Sequence, residues 1–563
     1  MQYVFYILIV VLALVIWSIW NEREVKKRLL LRLKEQWGKV PGEEYTSERF
    51  ESLGAFYQSV RDERLDVDDI TWNDLDMDEI YMLMNNTQSS IGEEYLYALL
   101  RKPCFSGEEL EERNRLMKFF AGHEDKRLLI QTKLHDIGKA SRISVFEYIN
   151  RLEKLTAQNN LLHYIMAFGL VISAGLIFVV PPVGGVLTVL FVANNIFQYY
   201  RKKADIENYL IIFSYICRLI DSVKGICKSD IPEIKKYTEL LKEDSDIFKS
   251  FKRGSVFLAP KQPSGGIEDV LIDYVRMLFH VDLIKFNSML TFFKNNRKVL
   301  NRMFINVGFL DSMLAAASFR RLINHYSEPV LEKGKKPGLS VTDLYHPLLD
   351  EPVPNSITEN TCVLITGSNA SGKSTFIKTL AINAILAQTI YTSTSTGYRA
   401  GYFMIYSSMA LRDNIFSSES YYIVEIKSLK RILDRINDDI PILCFIDEVL
   451  RGTNTLERVA ASSRILSHLS GKNALVFAAT HDIELTHILE DSYSNYHFQE
   501  RIEANGILFD YRLYQGKAIS KNAIKLLELL KFPKEITHAA ENAAEDFLKT
   551  GEWHKIHGKQ VSP

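Results

Sequence analysis

An α/β domain with a mostly parallel sheet, joined to an all-α region that carries transmembrane helices, is the fold class the sequence predicts. Three observations lead there. From about residue 340 short β-rich runs alternate with helical stretches, the pattern of a parallel sheet with crossover helices. Residues 71–160 and 201–320 repeat apolar groups at helical spacing with few Gly or Pro. Two long apolar blocks, near residues 3–20 and 161–200, match the needs of a bilayer. The 563 residues are 47% hydrophobic and 24% charged, which excludes a disordered or collagen-like chain and allows about three or four domains. The net charge of −1 excludes a polybasic coat, so electrostatic binding must come from a local patch. Cys104, Cys217, Cys227, Cys362 and Cys444 form no C-x-x-C pair, which argues against a zinc site or disulfide framework and fits a reducing compartment.

Tyr3 to Trp20 is an uncharged run of 18 residues, about 27 Å as a helix. A cleaved signal peptide has a similar look, but no Lys or Arg precedes the run and no small-residue cleavage site follows. Arg23, Lys26, Lys27 and Arg28 follow it and place that end in the cytoplasm. Residues 1–20 are therefore read as a transmembrane helix and 21–70 as a helical stalk. Residues 71–320 form a helical core or lever domain. Within it, 161–200 reads as a transmembrane hairpin turning at Pro181-Pro182-Val183-Gly184-Gly185. Arg151 and Lys154 before it and Arg201-Lys202-Lys203 after it put both feet in the cytoplasm. A buried hairpin of a soluble protein shares that pattern, and Asn194, Asn195 and Gln198 weaken the second leg. The expected location is the cell membrane, with three spans and the bulk of the chain cytoplasmic. Residues 201–320 hold 20 Lys/Arg against 14 Asp/Glu. Lys294, Arg297, Lys298 and Arg302 fall on one face of a single helix, either a solvated face or a contact for duplex DNA or anionic lipid.

Residues 321–535 hold the chemistry, and 536–563 form a tail. Gly367-Ser368-Asn369-Ala370-Ser371-Gly372-Lys373-Ser374 fits G-x-x-x-x-G-K-[ST] between a strand-like Cys362–Thr366 and a helix opening at Thr375. Such a loop turns backbone N–H groups onto phosphates at a helix N-terminus. The domain is thus a P-loop NTPase. Lys373 reaches the β/γ-phosphates of ATP, and Ser374 holds Mg²⁺. The apolar run Leu443–Ile446 delivers Asp447 to the metal and Glu448 as the candidate base for the attacking water. His481, ending Ala479-Thr480-His481 after the next strand, is the third catalytic candidate.

The stretch 341–535 resembles the MutS family of mismatch-repair ATPases. The matching segments, in order, are His346-Pro347-Leu348-Leu349, Val353-Pro354-Asn355, the phosphate loop, Ser418 to Glu425, the run from Ile446 to Glu457, Ala479 to Leu485, Asn495-Tyr496-His497, and Phe509 to Gly516. Looser likeness extends upstream: Thr87 to Gly92 and Leu100 to Pro103 resemble the start of the family's helical core, and Leu310 to Ala315 its end. The resemblance implies a homodimer with nucleotide between subunits. Ser420 matches the signature serine that reaches the partner's phosphates, Glu425 the signature acid, and Tyr511 the aromatic that stacks on adenine. Thr453 and Thr455 belong to the loop that crosses the dimer interface. Departures bear on function. No mismatch-reading or connector domain is expected before the core. Leu450 replaces a Gly, which is expected to alter the turn after Glu448, and Glu457-Arg458 replaces Asp-Gly. ATP hydrolysis is expected, with the client unnamed. The alternative is an ABC-type transport ATPase, against which Leu469-Ser470-Gly471 stands after Asp447 rather than before it.

Overall fold

The structure, a computed structural model, describes every residue except 1, 141–143, 157–158, 249–266, 335–337, 369, 410–420, 438, 504–505, 519–523, 525–526, 529–530 and 556–563. The chain divides into two compact units. One comprises residues 1–66, 78–324 and 388–391, and the other 67–77, 325–387 and 392–563. Residues 67–77 thus fall in the second unit, away from their neighbours in sequence.

The chain begins with α1 (Gln2–Gln36), α2 (Ser47–Val60), α3 (Asp69–Asp74) and α4 (Met77–Met84), of which α3 lies in the second unit. The first unit continues with α5 (Ser90–Arg101), α6 (Gly107–Gly122), α7 (Glu124–Ile137), α8 (Val145–Lys154), α9 (Leu161–Leu176) and α10 (Pro181–Cys227). It closes with α11 (Lys235–Ile247), α12 (Ile267–Phe279), α13 (Val281–Asn295) and α14 (Arg297–Leu322). Its core joins the two upstream segments singled out by sequence. Ser89 caps α5, and Asp311 of α14 accepts hydrogen bonds from Gln88 N (3.0 Å), Ser89 N (2.9 Å) and Ser89 Oγ (2.6 Å). The two helices approach so closely that a Cβ on Gly92 would stand 2.2 Å from Asp311 Oδ2.

The expected single basic face is a correction. Lys294 ends α13, while Arg297, Lys298 and Arg302 stand on α14 beyond a break at Asn296. Arg297 bonds Asn150 Oδ1 at 2.7 Å and pairs with Glu153, and Arg302 Nε contacts both oxygens of the buried Asp244 at 3.0 Å. Intramolecular pairs thus engage two of the four cations.

The apolar block folds as a helical hairpin. Pro181 and Pro182 occupy the first turn of α10, where their missing N–H groups cost nothing, so the helix begins inside the predicted turn. α9 and α10 pack through small groups: a Cβ on Gly184 would lie 2.3 Å from Ile177 N, and Thr188 Oγ1 donates to Ser173 Oγ at 3.3 Å. Outward-facing Leu161, Ile165, Phe168, Ile172, Val186 and Val189 are exposed, and Phe178 at the tip is 90% exposed. Among the described residues, one helical segment, Pro181–Lys203, has the length and apolarity to cross a bilayer. The three expected spans are therefore not all met on those criteria. α9, with 16 residues, measures about 24 Å, and most side chains of residues 2–20 lie outside the described set. α1 runs antiparallel to α7, with Trp37 under Arg127 and Arg32 beside His135. α7 runs antiparallel to α10, with Lys133 against Gly225 and Ile137 O accepting from Arg218 Nε at 2.9 Å. The N-terminus of α1 and the hairpin tip therefore point the same way.

The second unit holds β1 (Val330–Glu332), β2 (Leu339–Leu344), β3 (Asn355–Glu359), β4 (Cys362–Thr366), α15 (Lys373–Thr389), β5 (Gly397–Gly401) and β6 (Met404–Ser408). It continues with α16 (Tyr421–Arg435), β7 (Ile442–Asp447), α17 (Thr455–Ser470), β8 (Ala474–Thr480), α18 (Ile483–Ile488), β9 (Tyr493–Glu503), β10 (Gly506–Gln515) and α19 (Lys534–Thr550). A small sheet has the order β1-β5-β2-β3. The larger sheet has the order β10-β9-β4-β8-β7-β6 and is parallel except for the β9–β10 pair. Its central strands β4, β7 and β8 are apolar and almost wholly buried, as strands covered on both faces must be. The Ser/Thr run after Tyr391 is a loop, as expected, but a buried one. Asn383 Oδ1 accepts from Ser393 Oγ (3.0 Å) and Thr394 N (2.6 Å) and so replaces the ladder bonds the loop lacks.

Burial pushes the Asp311 carboxyl up to about 6. Between the unfolded value near 3.8 and about 6 the folded state binds more protons, so this group makes stability fall as pH rises through that window. Asp311→Asn should lower the unfolding free energy by about 2 kcal/mol, since one amide oxygen cannot accept all three donors. It should also flatten that part of the stability–pH curve. Urea titrations at pH 4, 5 and 6 with both proteins check each effect.

Candidate nucleotide site

Register gathers the site. Thr366 of β4 pairs with Thr480 of β8, and Asp447 of β7 pairs with Ala479 of β8. The carboxyl ends of three adjacent parallel strands therefore finish level, where ligands of open α/β sheets bind. The phosphate loop leaves β4, the acidic pair leaves β7, and His481 leaves β8.

In the loop, Gly367 and Gly372 adopt φ of 149° and 109°, and Ala370 adopts 64°. Lys373 Nζ donates to Gly367 O (2.8 Å) and Ser368 O (2.7 Å), and burial lowers its pKa. Ser368 Oγ donates to Glu500 Oε2 at 2.8 Å. Ser371 Oγ is buried without a hydrogen-bond partner among the described residues. Ser374, second residue of α15, donates to Asp447, whose carboxyl burial pushes above its usual range. Thr375 follows in the first turn and is exposed. An orphaned hydroxyl inside the loop and a hydroxyl–carboxylate pair at its exit suit a phosphate with Mg²⁺. That ion takes only one or two protein oxygens when phosphates supply others. Asn369 and Ser420 lie outside the described residues.

Glu448 accepts from His481 Nε2 at 2.7 Å and pairs with Arg451 Nε at 3.0 Å. The His481 hydrogen bond is the main cause of its lowered pKa. His481, the third catalytic candidate, holds the candidate base. Tyr511, with φ of 54°, sits against the loop, its ring 3.3 Å from where a Cβ on Gly372 would be. Asn355 fixes that bulge in β10: its Nδ2 donates to Tyr511 O (2.9 Å) and its Oδ1 accepts from Leu513 N (2.7 Å). Thr453 Oγ1 donates to Glu457 Oε2 at 3.2 Å, and Thr455 opens α17.

Residues 363–548 match the family model of MutS domain V. The chain is 30% identical over 200 residues to the DNA mismatch repair protein MutS of Thermus aquaticus, covering 35% of this chain and 24% of that one. It is 30% identical over 281 residues to the MutS protein homolog 4 of Mus musculus, covering 46% and 28%. With the DNA mismatch repair protein MSH3 of Debaryomyces hansenii it shares 26% over 296 residues, 47% and 28% of the two chains. Residues 363–548 thus carry a domain of the MutS family. The matched part spans about a quarter of these relatives' length. This family match replaces the transporter alternative, and Leu469-Ser470-Gly471 is simply the end of α17 with its C-cap.

The two departures from the MutS pattern now have a physical account. Leu450 takes a left-handed turn at φ 57°, a conformation that suits the glycine of the family pattern, with its side chain buried. Glu425 holds it: one carboxylate oxygen accepts from Leu450 N and from Arg451 N (3.3 Å). Arg458 makes a bidentate pair with Asp482 at 2.5 and 2.8 Å, tying α17 to the residue after His481. The clamps made by Glu425, Arg451, Arg458 and Asn355 were not assigned from sequence. Three of them engage left-handed turns at Glu448, Leu450 and Tyr511, which leave no local signal when the residue is not glycine, and Arg458 reaches Asp482 across 24 positions.

Glu425→Ala should cost about 2 kcal/mol, because it strands the buried Leu450 N–H. Glu425→Gln keeps an acceptor oxygen and should cost less than half as much. Chemical denaturation of the three proteins measures this, and equal losses would count against the clamp.

Proposed function

We propose that this chain is a membrane-anchored ATPase that works as a homodimer. ATP binding and hydrolysis would switch the conformation of its helical unit. The observation that carries the ATPase reading is the convergence of Lys373, Ser374–Asp447 and the His481–Glu448–Arg451 group at the level ends of β4, β7 and β8. When bound, Mg²⁺ would neutralise charge on the transferring phosphate, held by Ser374 and Asp447. Gly367 to Thr375 offer backbone N–H groups and the α15 N-terminus to the phosphates. Lys373 would exchange its two loop carbonyls for phosphate oxygens. Glu448 stays ionised at neutral pH and would orient the attacking water, with His481 and Arg451 fixing both of its oxygens. Tyr511 offers a ring at the loop's edge for the adenine, and Ser420 would come from the partner subunit.

The membrane reading rests on the exposed apolar hairpin and on the shared direction of α1. Soluble surfaces rarely expose a contiguous patch of this extent. From Arg32 to Trp20 is about 18 Å along α1, and from Arg218 to Lys203 about 22 Å along α10. The two apolar runs thus start within about one helical turn of each other, which supports entry into a common plane. The basic flanks of both favour a cytoplasmic location for the remaining chain. Duplex DNA is a second partner reading, favoured by the mismatch-repair relatives. The engagement of Arg297 and Arg302 weakens its electrostatic basis.

Lys373→Ala should abolish ATP turnover, and Glu448→Gln should bind ATP yet hydrolyse it at least a hundredfold more slowly. Wild-type rates in either variant would remove the assignment. Glu448 owes its lowered pKa first to His481, so His481→Gln should move the acidic limb of the kcat–pH profile upward. A limb that stays in place would show that His481 does not act on Glu448. The full chain should float with liposomes and resist carbonate extraction, whereas recovery in the soluble fraction would exclude anchoring. Addition of duplex DNA to chain in nanodiscs decides the second reading: stimulation that fades steeply with salt supports it, and indifference rejects it.

A further inference from the structure

Residues 67–77 follow α2 of the helical unit yet pack within the ATPase unit. α3 lies along β6, the edge strand beside β7. Thr71 Oγ1 accepts from Ser407 N at 3.1 Å. Asp74 Oδ2 accepts from Ser407 Oγ at 2.6 Å and from Met409 N at 3.1 Å. Asp68 takes both of its oxygens to Arg431 of α16 at 2.6 Å, and Arg431 also donates to Ser407 O. Asp76 pairs with Lys378 of α15 at 2.7 Å. Trp72 is fully buried beneath these contacts. One short segment therefore fastens the sheet edge, the helix after the phosphate loop, and α16.

α16 reaches the chemistry from its other end. Its Glu425 holds Leu450 N and Arg451 N, and Arg451 holds Glu448. Glu448 and Leu450 both sit at positive φ, 58° and 57°. Such backbone persists in non-glycine residues only where surroundings enforce it. We propose that residues 67–77 form a strut that positions Glu448, acting through β6 and α16. Without Asp74, two donors on a sheet edge lose their acceptor, β6 loosens beside the catalytic strand, and α16 shifts with it. The carboxylate of Glu425 then no longer enforces the left-handed turn, and Glu448 leaves its place. The phosphate loop itself makes none of these contacts, so nucleotide affinity is spared.

This rests on the reading of Glu448 as the group that orients water. The test uses the full chain in nanodiscs, with ATP turnover, binding of a fluorescent ATP analogue and melting temperature measured together. Asp74→Ala should lower kcat about tenfold and leave the analogue's Kd within twofold. Asp74→Asn should restore kcat, since one amide oxygen can take both donors. Asp68→Asn keeps the helix-capping oxygen and weakens only the Arg431 pair, so it should lower kcat about threefold with little change in melting. It decides the matter if Asp74→Ala does not fold. Unchanged kcat in the folded variants would overturn the strut, as would a parallel loss of kcat and affinity. Absence of turnover in the wild type, or wild-type turnover in Lys373→Ala, would instead overturn the ATPase reading and the strut with it.

Discussion

The parallel register of β4, β8 and β7 is the constraint on which the site depends. Each strand is apolar and buried, so its register is set by packing on both faces, and a slip of one residue would reverse every side chain. That fixed register brings a loop, an acidic pair and a histidine from three distant parts of the chain to one edge. Strands set the position; loops supply the chemistry. The same division explains why replacements after Asp447 are tolerated as long as the loop that follows keeps its shape.

Leu450 shows how that shape is kept. A glycine would take φ near 57° freely, whereas a leucine pays about 1 kcal/mol for it. Two terms offset the strain. The side chain is buried, worth about 2 kcal/mol, and Glu425 accepts the N–H groups of Leu450 and Arg451. The turn is therefore held by its neighbours rather than by the freedom of a glycine. A turn held this way depends on α16 in a manner that a glycine turn would not.

Much of the ATPase unit was legible in the sequence because its signals are local. Apolar runs marked β4, β7 and β8 almost to the residue, and the glycine spacing marked the phosphate loop. What escaped was non-local. No periodicity shows that residues 67–77 leave the helical unit to cap β6, because their partners stand more than 300 positions away. The basic quartet of residues 294–302 was misread for a related reason. Helical spacing alone cannot reveal the break at Asn296, nor that Arg302 spends its charge on Asp244. His481 was legible as a residue, but its hydrogen bond to Glu448 was not, since that pairing depends on the turn after β7.

The hairpin follows a different packing logic from the cores of both units. There, large side chains such as Trp72, Phe213 and Tyr406 fill the interior. Between α9 and α10 small residues let the chains approach, Gly169 under the Phe191 ring, Gly184 against Ile177 and Thr188 bonded to Ser173, while Phe168, Ile172 and Phe178 face outward. In water that arrangement wastes part of the hydrophobic effect, because several large apolar groups stay wet. In hydrocarbon the outward groups lose nothing, and close backbone approach through small residues becomes the main source of helix–helix attraction. The outward placement of these large side chains, more than length or hydropathy of any one helix, is what the proposed membrane anchoring rests on.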